Sequence, residues 1–200
     1  MEIENHKEEV PLAHYQTLLR RADPAEIAAR LPFVRQDGAV LRLKLLGSGY
    51  RIENAEVTEE TGAIPPKQVQ TFLLRLLLEG KNEPFRGEWK TFRELPWGTV
   101  YLAPYTGRVL KRAAFSFGTR LEDFRAAAQA LGGLPLEKSD AGYQFDLLGP
   151  YRLRLLLWEG DEEFPPSAQM LYSDNFGPGF AAEDRVVAGE VLIGALKKYF

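Results

Sequence analysis

The 200-residue sequence contains no cysteine and only two histidines. The absence of cysteine excludes disulfides, thiolate zinc sites, iron–sulfur clusters held by this chain and a cysteine nucleophile. Both histidines, His6 and His14, lie near the N-terminus, which argues against a histidine-dependent active site. Carboxylates, arginines and aromatic side chains are therefore left for any chemistry, and the sequence identifies no metal ligand set and no cofactor.

The sequence also lacks a basic excess and a long apolar run. Its formal net charge is -3, whereas surfaces that bind nucleic acid normally carry a basic excess, so we expect no nucleic-acid partner. No apolar run approaches the roughly 18 residues that span a bilayer, and the first residues do not resemble a signal peptide. We therefore expect a soluble cytoplasmic protein without a membrane partner.

Alternating residues predict a β-hairpin around the turn pair Gly149-Pro150. Period two is the signature of a strand, because successive side chains point to opposite faces of a sheet. On the second strand, one face carries Tyr151, Leu153, Leu155 and Leu157, and the other carries Arg152, Arg154, Leu156 and Trp158. Helical patterns are interspersed with such hairpins, which favours an α+β fold of mainly antiparallel hairpins with packed helices.

A second hairpin earlier in the chain has a similar plan. LLGSGYRI at 45–52 is similar to LLGPYRL at 147–153, and a Pro-Pro pair follows each hairpin, at Pro65 and at Pro165. We predict a helix before each hairpin and an apolar helix after each Pro-Pro pair. A diverged internal duplication would produce this order, although two leucine-rich hairpins could also resemble each other by chance.

The duplication leads to a specific domain organisation. We predict a flexible N-terminus at 1–10, then one α+β domain at 11–200 with pseudo-repeats 23–80 and 120–200 and a connecting segment at 81–119. Within it, local patterns predict a first helix at 11–21, strands at 50–57, 89–92 and 99–104, an irregular or partly helical segment at 105–118, a loop at 173–179 and a closing helix from 181 or 182 to 198.

Four carboxylates cluster in the turn after Trp158, at Glu159, Asp161, Glu162 and Glu163. Such a cluster persists when it is solvated, paired with basic groups or bound to a hard cation. Asp174, Asn175 and Asp184 could add oxygen ligands if the following loop folds back. The alternative is a solvated acidic turn in which the aspartate caps the turn before the prolines.

The segment 87–98 combines aromatic and charged residues. Trp89, Phe92 and Trp97 could form an aromatic floor, with Arg93 as a cationic arm for a planar or anionic ligand. The alternative is a small aromatic core with a surface ion pair. We predict a site between this segment and the acidic turn, in which Arg93 approaches Asp161 or Glu162 and Trp89 or Trp97 lines the same cleft, with Trp158 counted among the ligand-binding residues.

Three segments resemble a family of uncharacterised domains that is common in anaerobic bacteria and archaea: WEGDEEFPPSAQMLYSDN, GEWKTFRELPWGTVYLAPY and EDRVVAGEVLI. Some members are joined to a four-cysteine iron–sulfur domain like that of corrinoid iron–sulfur proteins. The resemblance therefore implies a link to tetrapyrrole or one-carbon metabolism. The family is a domain of unknown function and implies no catalytic residue, and this cysteine-free chain departs from the joined arrangement.

These observations favour a ligand-binding or accessory module over a self-sufficient enzyme. The sequence shows no nucleophile–base pair, no metal-binding histidine or cysteine set and no phosphate loop. Its partner would be a small molecule or another protein. One alternative is a hydrolase that uses Asp161 and Glu163 with a divalent cation. Another is a protein-interaction domain that exposes an apolar patch.

Overall fold

The computed structural model describes residues 6–200, with side chains described from residue 11 onward. The chain divides into two compact units, with the boundary between Asn82 and Glu83. Both units combine helices with an antiparallel sheet, so the predicted α+β class with antiparallel hairpins is confirmed. Among the described residues, no helix has the length and apolarity needed to cross a membrane.

The first unit builds a four-stranded meander between helices. Its elements are α1 (His6–Leu19), α2 (Pro24–Arg30), β1 (Arg35–Asp37), β2 (Val40–Leu45), β3 (Ser48–Glu53), β4 (Glu56–Glu59) and α3 (Lys67–Glu79). The Asp23 carboxylate accepts a hydrogen bond from the Ala25 amide at 2.8 Å, and Pro24 occupies the first helical position, so the sequence fixes the start of α2. The predicted flexible segment at 1–10 includes residues 1–5, which lie outside the described residues.

Alternation decides which face of this sheet is buried. Leu41, Leu43 and Leu45 of β2 are buried, whereas Lys44 between them is exposed. Leu46 and Gly47 connect β2 to β3, and both have positive φ, at 48° and 79°. This left-handed pair matches the twist of a tight hairpin. Helix α3 packs against α1 and buries Phe72 and the leucines that follow it.

The second unit builds a five-stranded sheet of order β5-β9-β8-β7-β6. Its strands are β5 (Trp89–Thr91), β6 (Leu134–Leu136), β7 (Ala141–Leu148), β8 (Tyr151–Trp158) and β9 (Ser167–Ser173). Its helices are α4 (Leu102–Tyr105), α5 (Arg112–Phe117), α6 (Leu121–Ala130), α7 (Phe176–Gly179) and α8 (Ala182–Leu196), with a π-helical segment, Thr106–Lys111, joining α4 to α5. The predicted hairpin at Gly149-Pro150 is present as β7–β8.

The helices of this unit contact one face of its sheet, which we call the inner face. Tyr143 packs edge-to-face on Phe124 of α6, and the Tyr172 hydroxyl donates a hydrogen bond to the Arg185 carbonyl of α8 at 3.0 Å. Gly189 of α8 approaches Met170 so closely that a Cβ there would lie 3.1 Å from the sulfur. The inner face therefore forms the core, where aromatic and aliphatic side chains fill the space between sheet and helices.

Several local predictions are wrong, and tertiary contacts explain them. Strand β9 directly follows Pro165-Pro166 and was not predicted, whereas the apolar helix expected further along the chain is present as α8. The predicted strand at 99–104 is a turn followed by the start of α4. The helical run 102–117 buries Tyr105, Val109, Ala113 and Phe117 at a four-residue spacing, and the small Ala113 obscures the helical pattern.

Three further boundaries differ from the predictions. The first helix begins at His6 rather than at residue 11, and it contains Pro11. The expected strand at 50–57 is split by a tight turn at Asn54-Ala55 into β3 and β4. The expected loop at 173–179 contains the single-turn helix α7. In each case the local signal was present but its extent was set by hydrogen bonding that the linear pattern does not report.

The two units share an order of elements. A helix, a three-residue strand, a hairpin, a fourth strand and a later helix follow one another in both, from α2 to α3 and from α6 to α8. This order agrees with the duplication, which stays a prediction. The two proline pairs are not equivalent, because Pro65 follows the fourth strand of its meander and Pro165 precedes it. The acidic turn between β8 and β9 corresponds by topology to the turn at Asn54-Ala55.

Candidate functional site

The acidic turn is an exposed connection at the end of β8. Glu159, Asp161, Glu162 and Glu163 are all exposed. The Asp161 carboxylate accepts hydrogen bonds from the amides of Glu163 and Phe164, at 2.8 and 2.7 Å, and its own amide donates to the Phe164 carbonyl. Asp161 therefore closes the turn through its backbone neighbours, as an aspartate commonly does.

The other candidate oxygen ligands also hold the backbone together. Both carboxylate oxygens of Asp174 accept amide hydrogen bonds, from Arg86 and Glu88, each at 3.1 Å. The buried Asn175 amide donates to the carbonyls of Glu83 and Pro150. Within the described part of the chain, no three histidine, aspartate or glutamate residues come together in a way that would hold a metal ion.

A polar cleft of about 480 Å³ lies beside Glu159, at the start of α6. Its two arginines already have partners: Arg125 is paired with Glu122 and donates to the Asp140 carbonyl, and Arg120 lies 3.8 Å from Asp123. Four carboxylates, those of Glu122, Asp123, Asp140 and Glu159, line the cleft against these two arginines, so its lining residues offer no unpaired cation to an anionic ligand.

The aromatic segment separates into three environments. Phe92 is buried and stacks on Tyr105, with ring centroids 4.0 Å apart, so it belongs to the core and not to an exposed aromatic floor. Trp97 is 72% exposed on a turn whose Pro96 carbonyl accepts a hydrogen bond from Arg185. Arg93 is exposed, and among the described side chains no ion pair joins it to Asp161 or Glu162.

Strand β9 sets the separation between the two predicted parts of the site. Trp89 pairs with Ser173 at one end of β9, whereas Trp158 pairs with Ser167 at the other. Six residues of strand span about 20 Å. The acidic turn follows Trp158, so it lies at the far end of the strand from Trp89. Trp89 and Trp158 nevertheless share one face of the sheet, because Ser167 and Ser173 are an even number of residues apart.

This shared surface, which we call the outer face, lies opposite the core. Its members are half-buried or buried side chains from four strands: Trp89, Gln144, Arg152, Arg154, Leu156, Trp158, Gln169 and Leu171. Gln144 lies opposite Arg154, and Leu171 lies opposite Arg154 on the other side. A face that mixes tryptophan, leucine, amide and guanidinium groups differs from an ordinary solvated sheet face, which is mainly polar.

Arg154 is the central polar group of the outer face. Its guanidinium carbon lies 3.8 Å from the ring centroid of Trp89, and its Nε donates to the Gln144 side-chain oxygen at 3.1 Å. Among the described residues, no hydrogen bond or ion pair reaches its two Nη atoms. Burial lowers the pKa of Arg154 without making it titrate in the physiological range. A cation is thus oriented on an aromatic ring without a neutralising carboxylate.

The neighbouring Arg152, in contrast to Arg154, is paired with a carboxylate. Its Nε donates to the Asp146 carboxylate at 2.9 Å, and its guanidinium lies 5.5 Å from the Phe85 ring centroid. Both arginines are therefore beside an aromatic ring, but of the two only Arg152 has a carboxylate partner among the side chains that the structure describes. Phe85 also packs edge-to-face on Trp89, at 5.3 Å, which joins the two arrangements into one surface.

Sequence reasoning placed Arg154 and Trp158 on one face but did not assign them to Trp89. The alternation of β8 predicts that Arg154 and Trp158 share a face, because that pattern depends only on residues within the strand. The second relation, to Trp89, depends on the pairing of β5 with β9, which joins residues 80 to 84 positions apart. Trp89 and Trp158 are the predicted site residues that the structure brings onto the outer face. Arg93 and Trp97 are not among its members.

Comparisons with known proteins give a family but no characterised relative. No protein with a curated description and no solved structure matches the chain. A family model matches residues 23–195, which is most of the chain and includes the acidic turn, the aromatic segment and the outer face. The chain therefore belongs to DUF3786, a family defined as a domain of unknown function.

Proposed function

We propose that this protein is a ligand-binding module whose outer face binds a planar aromatic carboxylate. The observation that carries the proposal is Arg154, a guanidinium stacked on Trp89 whose Nη atoms have no partner among the described residues. A guanidinium fork matches the two oxygens of a carboxylate, and the paired hydrogen bonds fix the orientation of the ligand.

The surroundings of Arg154 favour a flat ligand over a small inorganic anion. Leu156 and Leu171 flank the guanidinium, and Trp89 and Trp158 lie on the same face. Leu171, Trp89 and Trp158 are half-buried and so offer apolar and aromatic surface to the ring of a ligand while Arg154 holds its carboxylate, whereas Leu156 is buried. Small-molecule sites commonly combine such an apolar lining with a few placed polar groups.

Gln144 and Trp89 would serve as positioning residues. The Gln144 oxygen holds the Nε side of Arg154, which leaves the Nη side for a ligand. Trp89 is held in place because Asp174 binds the amides of Arg86 and Glu88 just before it. A tetrapyrrole, to which the family resemblance points, is planar and bears carboxylates, so it falls within the proposed class of ligand.

No described observation favours the alternative hydrolase. Asp161 is used within its own turn, and no metal-holding group of acidic or histidine side chains is found among the described residues. The interaction-domain alternative draws support from exposed apolar side chains, among them the pair Trp97 and Val100, which are 72% and 68% exposed. This pair belongs to a turn separate from the outer face.

The proposal can be tested by NMR with naphthalene-2-carboxylate as the probe and the neutral naphthalene-2-carboxamide as its matched control. The three tryptophan indole N–H signals report Trp89, Trp97 and Trp158 separately. We expect the carboxylate to shift the signals of Trp89 and Trp158 and to leave that of Trp97 unchanged. Arg154→Gln should weaken binding at least about tenfold, the loss expected for one charge-assisted pair.

Arg152→Gln is the matched control, because it removes the same charge from the adjacent position on the same face. It should change the affinity for the carboxylate by less than about threefold, since Arg152 already has the Asp146 carboxylate as a partner. Equal binding of the carboxamide, or equal losses for both arginine variants, would contradict the proposal.

A further inference from the structure

Three arginines lie side by side across the sheet of the first unit. Arg35 of β1 is directly opposite Arg42 of β2, and Arg42 is directly opposite Arg51 of β3. Directly opposed residues share a face and have Cβ atoms about 5 Å apart. Leu41 and Leu43 are buried on the other face, so these arginines lie on the face away from the core. We call Arg35, Arg42 and Arg51 the arginine row.

Carboxylates neutralise the arginine row only in part. Arg51 pairs with Glu53 at 2.6 Å. For Arg35 and Arg42, no ion pair or side-chain hydrogen bond occurs with any residue whose side chain is described. Lys44, on the same face as Arg42, adds a further positive charge. The carboxylates on this face are Asp37, Glu53, Glu56 and Glu60, of which Glu56 is paired with Arg20.

Folding alone does not explain the arginine row. Like charges directly opposite one another on neighbouring strands destabilise a sheet, and here the arrangement occurs twice in succession. Residues that break a local stability rule are found most often at functional sites. An anion bound over the arginine row would offset the repulsion between the guanidinium groups. Each guanidinium could also donate paired, charge-assisted hydrogen bonds to that anion, because its N–H donors form a fork.

We propose that the arginine row binds a short polyphosphate group, such as the diphosphate or triphosphate of a phosphate ester. The three cations lie within about 10 Å, two strand spacings, so the ligand must concentrate several negative charges over that length. An extended acidic peptide places carboxylates of one side about 7 Å apart, which does not match the strand spacing of about 4.8 Å. A nucleic acid would meet the flanking carboxylates and a chain of net charge -3.

The site is independent of the one on the outer face. The arginine row belongs entirely to the first unit, and Arg154 belongs to the second. Failure of one proposal therefore leaves the other standing, provided that the two ligands are tested on the same variants. Arg154→Gln should bind polyphosphate as the unaltered chain does, and Arg42→Gln should bind the aromatic carboxylate as the unaltered chain does.

The experiment is a calorimetric titration of the full chain with inorganic tripolyphosphate, with sodium sulfate used to match ionic strength. We expect saturable binding to one site and amide NMR shifts concentrated in β1, β2 and β3. Arg42→Gln should weaken binding at least tenfold. Arg21→Gln is the matched control: it removes the same charge from an exposed arginine of the same unit outside the row, and should change affinity less than twofold.

Three results would overturn the proposal. These are no saturable binding at millimolar tripolyphosphate, equal losses in the two variants, and tighter binding of a glutamate hexapeptide than of tripolyphosphate. Misfolding is not expected to obscure the outcome, because Arg42→Gln relieves repulsion. Its urea midpoint in low salt should equal or exceed that of the unaltered chain, and a lower midpoint would also contradict the argument.

Discussion

The two sheets of this protein share a meander but carry different outer surfaces. In the first unit, the surface away from the core is charged, with Arg35, Arg42 and Arg51 in a row. In the second unit, the corresponding surface carries tryptophan, leucine and amide groups around Arg154. The inner faces are alike in that each buries leucines together with tyrosine, Tyr50 in the first unit and Tyr143 and Tyr172 in the second.

The connections differ as well. Two residues, Asn54 and Ala55, join the third strand to the fourth in the first unit, whereas the corresponding connection in the second unit is the acidic turn with its proline pair. The second sheet also gains an edge strand, β5, which brings Trp89 to Arg154. The core plan thus constrains the inner face, while edge strands and connections determine what each outer face can bind.

The largest expected difference between the units concerns one arginine in each. In the second, buried Arg185 donates hydrogen bonds to the carbonyls of Phe176, Pro96, Gly177 and Phe180. In the first, the half-buried Arg30 donates to those of Leu77 and Gly80. Arg185→Met should cost about 3 kcal/mol or more of unfolding free energy, because it removes four hydrogen bonds to carbonyls, of which that of Phe176 keeps a second donor, the Phe180 amide, and Arg30→Met about 1 kcal/mol.

Urea unfolding can measure these costs unit by unit. All three tryptophans belong to the second unit, so tryptophan fluorescence follows that unit alone. Amide hydrogen exchange in α3 follows the first. The prediction is wrong if Arg30→Met lowers the unfolding free energy as much as Arg185→Met does. That result would mean that the burial of the arginine does not determine how much stability its replacement removes.

Alkaline pH should destabilise the second unit more steeply than the first. Burial raises the pKa of Tyr151 to about 12, and burial also raises the pKa values of Tyr105 and Tyr172 above the ordinary value of 10. In the first unit, burial and the Glu59 carboxylate raise the pKa of Tyr50 to about 12. A raised pKa contributes stability below pH 10, which is lost as the pH rises towards 12 because the unfolded chain ionises first.

The test is the urea midpoint of the tryptophan fluorescence transition, measured between about pH 9 and pH 11.5. We expect the midpoint to fall above pH 10, and Tyr151→Phe should make the fall shallower because it removes one of the titrating groups. Tyr50→Phe is the control in the other unit and should leave the fluorescence transition unchanged. A midpoint independent of pH across this window would refute the argument.

The smallest expected effects concern one strained residue in each unit. Trp97 has φ of 65° and is 72% exposed, whereas Ala55 has φ of 63° and is 4% exposed. Glycine adopts such φ values without the Cβ clash, which costs roughly 1 kcal/mol. Trp97→Gly should therefore raise the unfolding free energy by about 1 kcal/mol. Ala55→Gly should change it by less than about 0.5 kcal/mol, because the loss of a buried methyl offsets the relief.

Thermal or urea unfolding of the two glycine variants tests this contrast. A destabilised Trp97→Gly variant would show that the indole makes stabilising contacts despite its exposure. That result would argue against the idea that the exposed Trp97 is kept at a cost in folding free energy. It would also weaken the support that Trp97 gives to a partner-binding turn.

Much of the fold could be predicted because its signals are local. The turn at Gly149-Pro150, the alternation of β8 and the cap at Asp23-Pro24 each depend on neighbours within a few residues. The helical run 102–117 was predicted only in part, because its buried seam includes Ala113 and its π-helical segment breaks the regular spacing. Strand β9 was missed because the acidic turn separates it in the sequence from the β7–β8 hairpin to which it is added.

The candidate site depended on contacts that no local pattern reports. Arg93 was chosen for its position beside two tryptophans in the sequence, but the cation that stacks on Trp89 is Arg154, which is 65 residues away. The arginine row was equally invisible, since Arg35, Arg42 and Arg51 become neighbours only through the register of three strands. Pairing register sets both arrangements, and a shift of one residue would send each side chain to the opposite face.

The sequence by itself therefore determined the elements that depend on short-range periodicity: an α+β chain of antiparallel hairpins, the faces of β2 and β8, and the turns between them. Tertiary structure alone decided which strands pair, that the acidic turn and Trp89 lie at opposite ends of β9, and which arginines lack carboxylate partners. The physical reason is that alternation fixes the direction of a side chain relative to its own strand, whereas its neighbours across the sheet depend on hydrogen bonding between distant segments.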